Sequence, residues 1–184
     1  MREMRFHGRG GQGTVVASIL LAKAFFKAGY HVQSFPAFGV ERRGAPVEAY
    51  LRVDHEKILL RTNIATPDVV LVQDRQLLKT VNVVKGLKAG GWVLVNTRDP
   101  QDGPDIYAGF CSAFVDATRI GVENGLGTRT HPIVNTAMVG ALIRILETPP
   151  LACLESAILE HIEVEPERNR AAAIQAYETV QFDH

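Results

Sequence analysis

The sequence predicts an α/β protein, a three-layer α/β/α Rossmann-like domain with a mostly parallel mixed sheet. Short apolar segments typical of strands alternate with longer segments of helical periodicity. Residues 67–74 form a continuous apolar run, which is typical of a strand buried on both faces of a parallel sheet. Four glycines between the first apolar segment and the first helical one indicate a βα turn. We predict a single domain over residues 1–184, because this length suits one core.

The order of the elements follows from the apolar patterns. After a strand around Met4 and Phe6, we predict strands at residues 31–35, 47–53, 58–60, 67–74, 92–96 and 111–115. We predict helices at residues 14–28, 76–87, 117–123, 135–147, 151–161 and 166–179. Strand 47–53 alternates and should be half exposed, with a hairpin turn at 54–57 after it. The tail 181–184 is expected to fray.

Two helices carry more specific expectations. The first has a stripe at helical spacing, formed by Val15, Ile19, Ala22 and Phe26. Apolar residues also occur on its other faces, so this helix should be largely buried. The helix at 135–147 contains small residues, Ala137, Gly140 and Ala141, which predict close approach by another backbone.

The glycine turn, residues 8–13, is the first candidate site. Gly8, Gly10 and Gly13 fit the G-x-G-x-x-G spacing of dinucleotide-binding turns, between a strand and a helix. Backbone N–H groups and the positive end of a helix dipole meet at such a turn, so it can bind an anion. The alternative is a tight turn that needs glycine only for its backbone shape. The candidate binding residues are Gly8, Arg9, Gly10, Gly11, Gln12 and Gly13.

The second predicted strand tests for a nicotinamide cofactor. Such sites place Asp or Glu about 20 residues after the glycines, to bond the ribose hydroxyls. Gln33 and Ser34 stand at this strand end instead. A free-standing dinucleotide-binding oxidoreductase therefore remains only as the alternative function.

The loop at residues 36–46 is the second candidate site. Its prolines and glycines exclude regular structure, yet it carries aromatic, apolar and charged residues, a combination typical of functional loops. Arginine forks suit phosphate or carboxylate recognition. The alternative is a solvated charge cluster. Because both stretches follow strand ends, we expect them to share one crevice. The candidate residues here are Glu41, Arg42, Arg43 and Gly44.

Composition excludes several classes of function. Twenty basic and twenty acidic residues balance, which argues against a dedicated nucleic-acid binder. There is no apolar run of transmembrane length and no signal peptide, so we expect a cytoplasmic protein without a membrane partner. Cys111 and Cys153 are too few for an iron–sulfur cluster or a four-cysteine zinc site. Since no catalytic or metal-ligating motif is present, we expect a subunit that completes a partner's active site.

Four motifs carry a family resemblance over nearly the whole chain: GRGGQG at 8–13, FPAFGVERRGAP at 35–46, PDVV at 67–70 and NTAMVGA at 135–141. Together they resemble the gamma subunit of pyruvate:ferredoxin oxidoreductase (pyruvate synthase), in the 2-oxoacid:acceptor oxidoreductase family. The helix at 169–177 is also similar. The VERRGAP form resembles the pyruvate and branched-chain 2-oxoacid enzymes more than the 2-oxoglutarate ones.

The resemblance implies a role within a larger enzyme, which oxidises a 2-oxoacid with coenzyme A to an acyl-CoA, carbon dioxide and reduced ferredoxin. It places thiamine diphosphate and [4Fe–4S] clusters on the alpha, beta and delta partner subunits, with none bound by this chain alone. This chain would help to position coenzyme A at the subunit interface. A purely structural subunit without a ligand is the remaining alternative.

Overall fold

The computed structural model describes residues 1–37, 44–99 and 108–183, and it contains a seven-stranded sheet in the order β2-β3-β1-β4-β5-β6-β9. These strands are β1 (Arg2–Arg9), β2 (His31–Pro36), β3 (Pro46–Asp54), β4 (Val69–Val72), β5 (Trp92–Asn96), β6 (Cys111–Val115) and β9 (Gln181–Asp183). A separate hairpin pairs β7 (Gly127–Thr128) with β8 (His131–Pro132). The helices are α1 (Thr14–Lys27), α2 (Ala117–Glu123), α3 (Asn135–Leu146), α4 (Leu151–His161) and α5 (Pro166–Thr179).

The centre of the sheet is parallel and its edges are antiparallel. Strands β1, β4, β5 and β6 run parallel, whereas β2 and β3 on one side and β9 on the other are antiparallel to their neighbours. Phe6 on β1 lies between Ala49 of β3 and Leu71 of β4. The predicted α/β class and mixed sheet are therefore confirmed, and the parallel strands bring several chain turns to one sheet edge.

One face of the sheet is covered by the helices. Its core joins Met4 and Phe6 of β1 with apolar residues of all five helices. Helix α3 is buried along almost its whole length. A Cβ atom at Gly140 would overlap the backbone carbonyl of Ala173 on α5, so the predicted close approach is confirmed.

The other face is covered differently from the prediction. Apolar residues of β4, β5 and β6 pack there against Leu77, Val83 and Leu87. These three residues come from a 3-10 helix, Arg75–Lys79, and from the turns after it, so the helix predicted at 76–87 is wrong. Four of the five residues at 80–84 are β-branched, which disfavours a helix, and Gly86 has a φ of 73°.

Helix α1 is less buried than predicted. Phe26 is 70% exposed and Ile19 is 42% exposed, whereas Ala17, Leu21 and Phe25 are buried. Apolar residues occur on every side of this helix, so its sequence alone does not identify the face that packs on the sheet. Small residues such as Ala17 favour the inner face because they permit close packing.

Three other expectations about strands are wrong. No strand forms at 58–60, and Leu59 is 78% exposed, so the hairpin is absent among the described residues. Strand β3 is not half exposed, because Tyr50 and Arg52 are buried. The Tyr50 hydroxyl donates to Glu48 of the same strand, and Arg52 donates to Glu3 of β1. Residues 181–183 do not fray but pair with β6. Among the described residues, no helix has both the length and the apolar character needed to cross a bilayer.

Candidate functional site

The glycine turn lies at the edge where β1, β4 and β5 end. Gly13 precedes α1 with a φ of 69°, a left-handed conformation that favours glycine. At Gly8, a Cβ atom would lie 2.6 Å from Gln73 Oε1 and would overlap the Thr14 hydroxyl. Both positions therefore need glycine for shape, which permits the tight-turn interpretation as well as the anion-binding one.

The end of the second candidate loop packs against this turn. Gly10 N donates to Ala45 O at 2.9 Å, and Gly44 N donates to Gly10 O at 3.1 Å. Within the turn, Arg9 N donates to Gln12 Oε1 at 2.8 Å, and Gln12 N donates to Arg9 O at 3.0 Å. The two predicted stretches thus adjoin at their described ends. The other three candidates, Glu41, Arg42 and Arg43, lie outside the described residues.

The guanidinium of Arg9, which is partly exposed, donates to two other residues of this chain. Its Nε donates to Asp74 Oδ2 at 2.6 Å, and its Nη1 donates to Gly44 O at 3.0 Å. The second oxygen of Asp74 accepts from Gln76 N at 2.9 Å and so caps the 3-10 helix. Because Asp74 offsets the charge of Arg9, an anion at this turn would have to be bound mainly by backbone N–H groups and by other cations.

Sequence reasoning missed two polar residues behind the turn. Gln73 Oε1 accepts from the Thr14 hydroxyl at 2.6 Å, and Asn96 Nδ2 donates to Gln73 O at 2.9 Å and to Thr118 Oγ1 at 3.0 Å. In the described part of the chain, Gln73 Nε2 is the buried side-chain polar atom without a hydrogen-bond partner. Their position in the sequence could have indicated them, because Gln73 and Asn96 stand at the ends of buried apolar strands.

The N-termini of α1 and α3 meet at the turn. The N-cap of α1, Gly13, provides no side-chain cap. Asn135, the first residue of α3, lies so close that a Cβ atom at Gly13 would be 2.5 Å from its Nδ2. Two helix N-termini therefore bring positive dipole ends to one place, which favours a negatively charged ligand.

A buried ionic network lies on the same side of the sheet as Arg9. Arg5 Nε donates to His7 Nε2 at 3.1 Å, so this ring nitrogen must be unprotonated. His7 Nδ1 faces Glu48 Oε1 at 3.5 Å, and the Tyr50 hydroxyl donates to Glu48 Oε2 at 2.8 Å. Burial lowers the pKa of His7 to about 4 and, with the bond to Glu48, raises the pKa of Tyr50 to about 12.

His7 should make the stability of the chain depend on pH. Its pKa is about 4 in the folded chain against an ordinary 6.5, chiefly because burial disfavours the charged ring. Between these values the unfolded chain binds a proton that the folded chain does not, so stability falls as the pH decreases. We expect a loss of about 3 kcal/mol between pH 7 and pH 4, measured by urea unfolding. In His7→Gln this part of the dependence should vanish, and an identical pH profile would contradict the assignment.

The residues at the position of a nicotinamide site's acid, Gln33 and Ser34, contact other residues of this chain. Gln33, where a dinucleotide site would place an acid, accepts from Arg52 Nη1 at 2.9 Å and donates to Leu60 O at 2.7 Å. Ser34 Oγ lies 3.0 Å from Ser18 Oγ. Among the described residues, no group of three or more His, Cys, Asp or Glu side chains is arranged to hold a metal ion.

Comparison with known proteins decides the family. The family described as pyruvate ferredoxin/flavodoxin oxidoreductase matches residues 3–179. The chain belongs to this family. Pyruvate synthase subunit PorC of Methanocaldococcus jannaschii is 48% identical over 178 residues, which cover 96% of each chain. The pyruvate/ketoisovalerate oxidoreductases common subunit gamma of Pyrococcus abyssi is 45% identical over 188 residues, covering 99% of this chain and 98% of the relative.

A solved structure agrees with these relatives. The pyruvate oxidoreductase subunit PORC of Thermotoga maritima is 34% identical, with a TM-score of 0.83 over 100% of this chain and 98% of that one. The expected membership of the pyruvate ferredoxin/flavodoxin oxidoreductase family, in its gamma-subunit type, is confirmed. Because these relatives are named as subunits of pyruvate synthase or of pyruvate oxidoreductases, the expectation of an enzyme subunit is confirmed as well.

Proposed function

We propose that this gamma-type chain completes the active site of a pyruvate (or related 2-oxoacid):ferredoxin oxidoreductase and helps to position coenzyme A there. The observation that carries the proposal is the glycine turn, where the uncapped N-terminus of α1 meets the N-terminus of α3. Coenzyme A is polyanionic, and helix N-termini bind phosphate groups through backbone N–H groups and the dipole. The whole chain, residues 1–184, would act as one domain.

The residues present fit a phosphate-bearing ligand. Gly8 and Gly13 keep side chains out of the turn, and Gln73 Nε2 supplies a buried donor without a partner beside it. Asp74 largely neutralises the charge of Arg9, so other cationic side chains must bind the phosphate groups. In sequence, Arg42 and Arg43 directly precede Gly44, whose N–H bonds Gly10 in the turn. We therefore assign phosphate recognition to the glycine turn together with residues 41–44.

The chemistry would be divided between subunits. Thiamine diphosphate and [4Fe–4S] clusters on the alpha, beta and delta partners would supply cleavage of the 2-oxoacid and electron transfer to ferredoxin. The residues of this chain would bind and orient coenzyme A and exclude water at the interface. The complex would work in the cytoplasm, without nucleic acid or membrane as a partner.

Kinetics of the assembled enzyme test this proposal. Arg43→Ala should raise the KM for coenzyme A on the order of tenfold or more, because a charged hydrogen bond contributes roughly 1.5–3 kcal/mol. The KM for the 2-oxoacid should change little. Arg43→Lys should recover part of the loss, since lysine cannot form a bidentate fork.

The matched control is Arg61→Ala, an arginine that is exposed in the described structure. It should leave both constants unchanged. An unchanged KM for coenzyme A in fully assembled Arg43→Ala would remove Arg43 from the site. If Arg43→Ala prevented assembly and impaired both substrates equally, the purely structural role would be favoured instead.

A further inference from the structure

A small, mostly apolar cavity lies at the N-terminus of α3. Its volume is about 170 Å³, and it lies between the β7–β8 hairpin, the N-terminus of α3 and the connection from α4 to α5. Leu126, Ile133, Ile162 and Val164 form its apolar wall, and the polar residues that line it are Asn135, Glu165 and Asn169. Ile133 is 42% exposed and Val164 is 73% exposed, so the rim of the cavity is apolar and accessible to solvent.

Asn135 joins this cavity to the glycine turn. It lines the cavity, only 8% of it is exposed, and its Nδ2 lies against Gly13. Its Oδ1 accepts from Thr136 N at 2.8 Å, but Nδ2 donates to no residue that the structure describes. The neighbouring Asn169 differs, because it accepts from Thr136 Oγ1 and donates to two backbone carbonyls. Asn135 is therefore a largely buried side chain whose Nδ2 has no hydrogen-bond partner among the described residues.

We propose that this cavity binds the flat heterocyclic base of a nucleotide whose phosphates lie at the glycine turn. The proposal rests on the function proposed above and specifies it, since coenzyme A carries an adenine. An apolar cavity of about 150 Å³ holds one benzene ring, so 170 Å³ suits a flat ring system that is partly open to solvent. Ile133 and Val164 would cover the ring faces, and Asn135 Nδ2 would donate to a ring nitrogen.

The features of the cavity favour a base over a partner's apolar side chain. An aliphatic or phenyl group would bury the Nδ2 of Asn135 without a partner, which costs about 1–3 kcal/mol. A purine offers ring nitrogens that accept this hydrogen bond. Because Asn135 both lines the cavity and lies against Gly13, the cavity adjoins the proposed phosphate site, as a single bound nucleotide requires.

Binding of ADP and inorganic pyrophosphate to the full chain tests the proposal by calorimetry. Wild-type chain should bind ADP at least tenfold more tightly than pyrophosphate. Val164→Trp, at an exposed rim position, should fill the cavity and weaken ADP about tenfold while leaving pyrophosphate unchanged. The matched control is Leu159→Trp, because Leu159 is 39% exposed on α4 and does not line the cavity. This control should change neither affinity.

A second variant tests the donor itself. Asn135→Asp keeps the acceptor for Thr136 N and removes the amide donor. The negative charge of the new aspartate affects the binding of both probes. The ratio of the affinity for ADP to the affinity for pyrophosphate is therefore compared between the variant and the wild type, and it should fall severalfold in the variant.

Three outcomes would overturn the proposal. Equal affinity of wild type for both probes would reject the base subsite and leave the phosphate site standing. If neither probe bound, the phosphate site would fail together with the subsite. If Val164→Trp left ADP binding intact but blocked assembly with partner subunits, the cavity would instead receive a partner's side chain.

Discussion

Gly140→Val is expected to lower the free energy of unfolding by about 3 kcal/mol. A Cβ atom at this position would overlap the carbonyl of Ala173, which belongs to the backbone of α5 and cannot rotate away. Helix α3 is buried along almost its whole length, so it cannot shift without disturbing other contacts. Valine has a higher helix propensity than glycine, so a loss of stability would report on the contact with α5. Urea unfolding followed by circular dichroism measures it.

The control for this experiment is Ala171→Val on α5. Ala171 is exposed, so the side chain of valine at this position should change the free energy of unfolding by only about 0.5 kcal/mol. A loss below about 1 kcal/mol in Gly140→Val would show that α3 and α5 can separate easily, contrary to the packing described above.

Glu3→Ala is expected to cost about 3–5 kcal/mol of stability. Arg52, which is 1% exposed, donates through Nε to Glu3 Oε1 at 2.8 Å. Its Nη1 donates to Gln33 Oε1, and its guanidinium lies 5.5 Å from the centre of the Phe35 ring. Removal of the carboxylate would leave a buried positive charge without its counter-ion. Thermal and urea unfolding of the purified variant should both show the loss.

Two comparisons separate charge burial from simple truncation. The double variant Glu3→Leu with Arg52→Met should recover most of the stability, because an apolar pair of similar volume can replace a buried ion pair. Glu167→Ala breaks the exposed pair with Arg170 and should cost less than about 1 kcal/mol. If Glu3→Ala were as mild as Glu167→Ala, Arg52 would have found water or another acceptor.

The strands and helices that the sequence predicted well are defined by local signals. Strands β5 and β6 have the predicted bounds, because continuous apolar residues identify a strand buried on both faces. Helix α2 begins where predicted, after Asp116, whose side chain accepts from Arg119 N at 2.9 Å. Helix α5 begins with Pro166, which suits a first helical position.

The errors depend on contacts between distant residues. Arg52 alternates with apolar residues and so resembles an exposed position, but Glu3, 49 residues away, permits its burial. The tail has no strand pattern of its own until β6 provides a partner for residues 181–183. Phe26 fits a helical stripe as well as Phe25 does, and only the position of the sheet determines which one is buried.

The candidate site shows the same division. The glycine turn is a sequence motif, so its placement between β1 and α1 could be predicted. Gln73 and Asn96 have no motif, because they become neighbours of the turn only when β4 and β5 pair beside β1. The donor of Asn135 could not be predicted either, since it depends on how α3 meets Gly13.

The packing of α1 also sets the order in which this chain can fold during synthesis. The inner face of α1 is buried against residues of α3 and α4, which end at Leu146 and His161. At 5–20 residues per second, roughly 7 to 27 s pass between synthesis of Lys27 and synthesis of His161. Throughout that interval Leu21 and Phe25 lack their final cover. We therefore expect the apolar face of α1 to remain uncovered in the nascent chain until α3 and α4 have been synthesised.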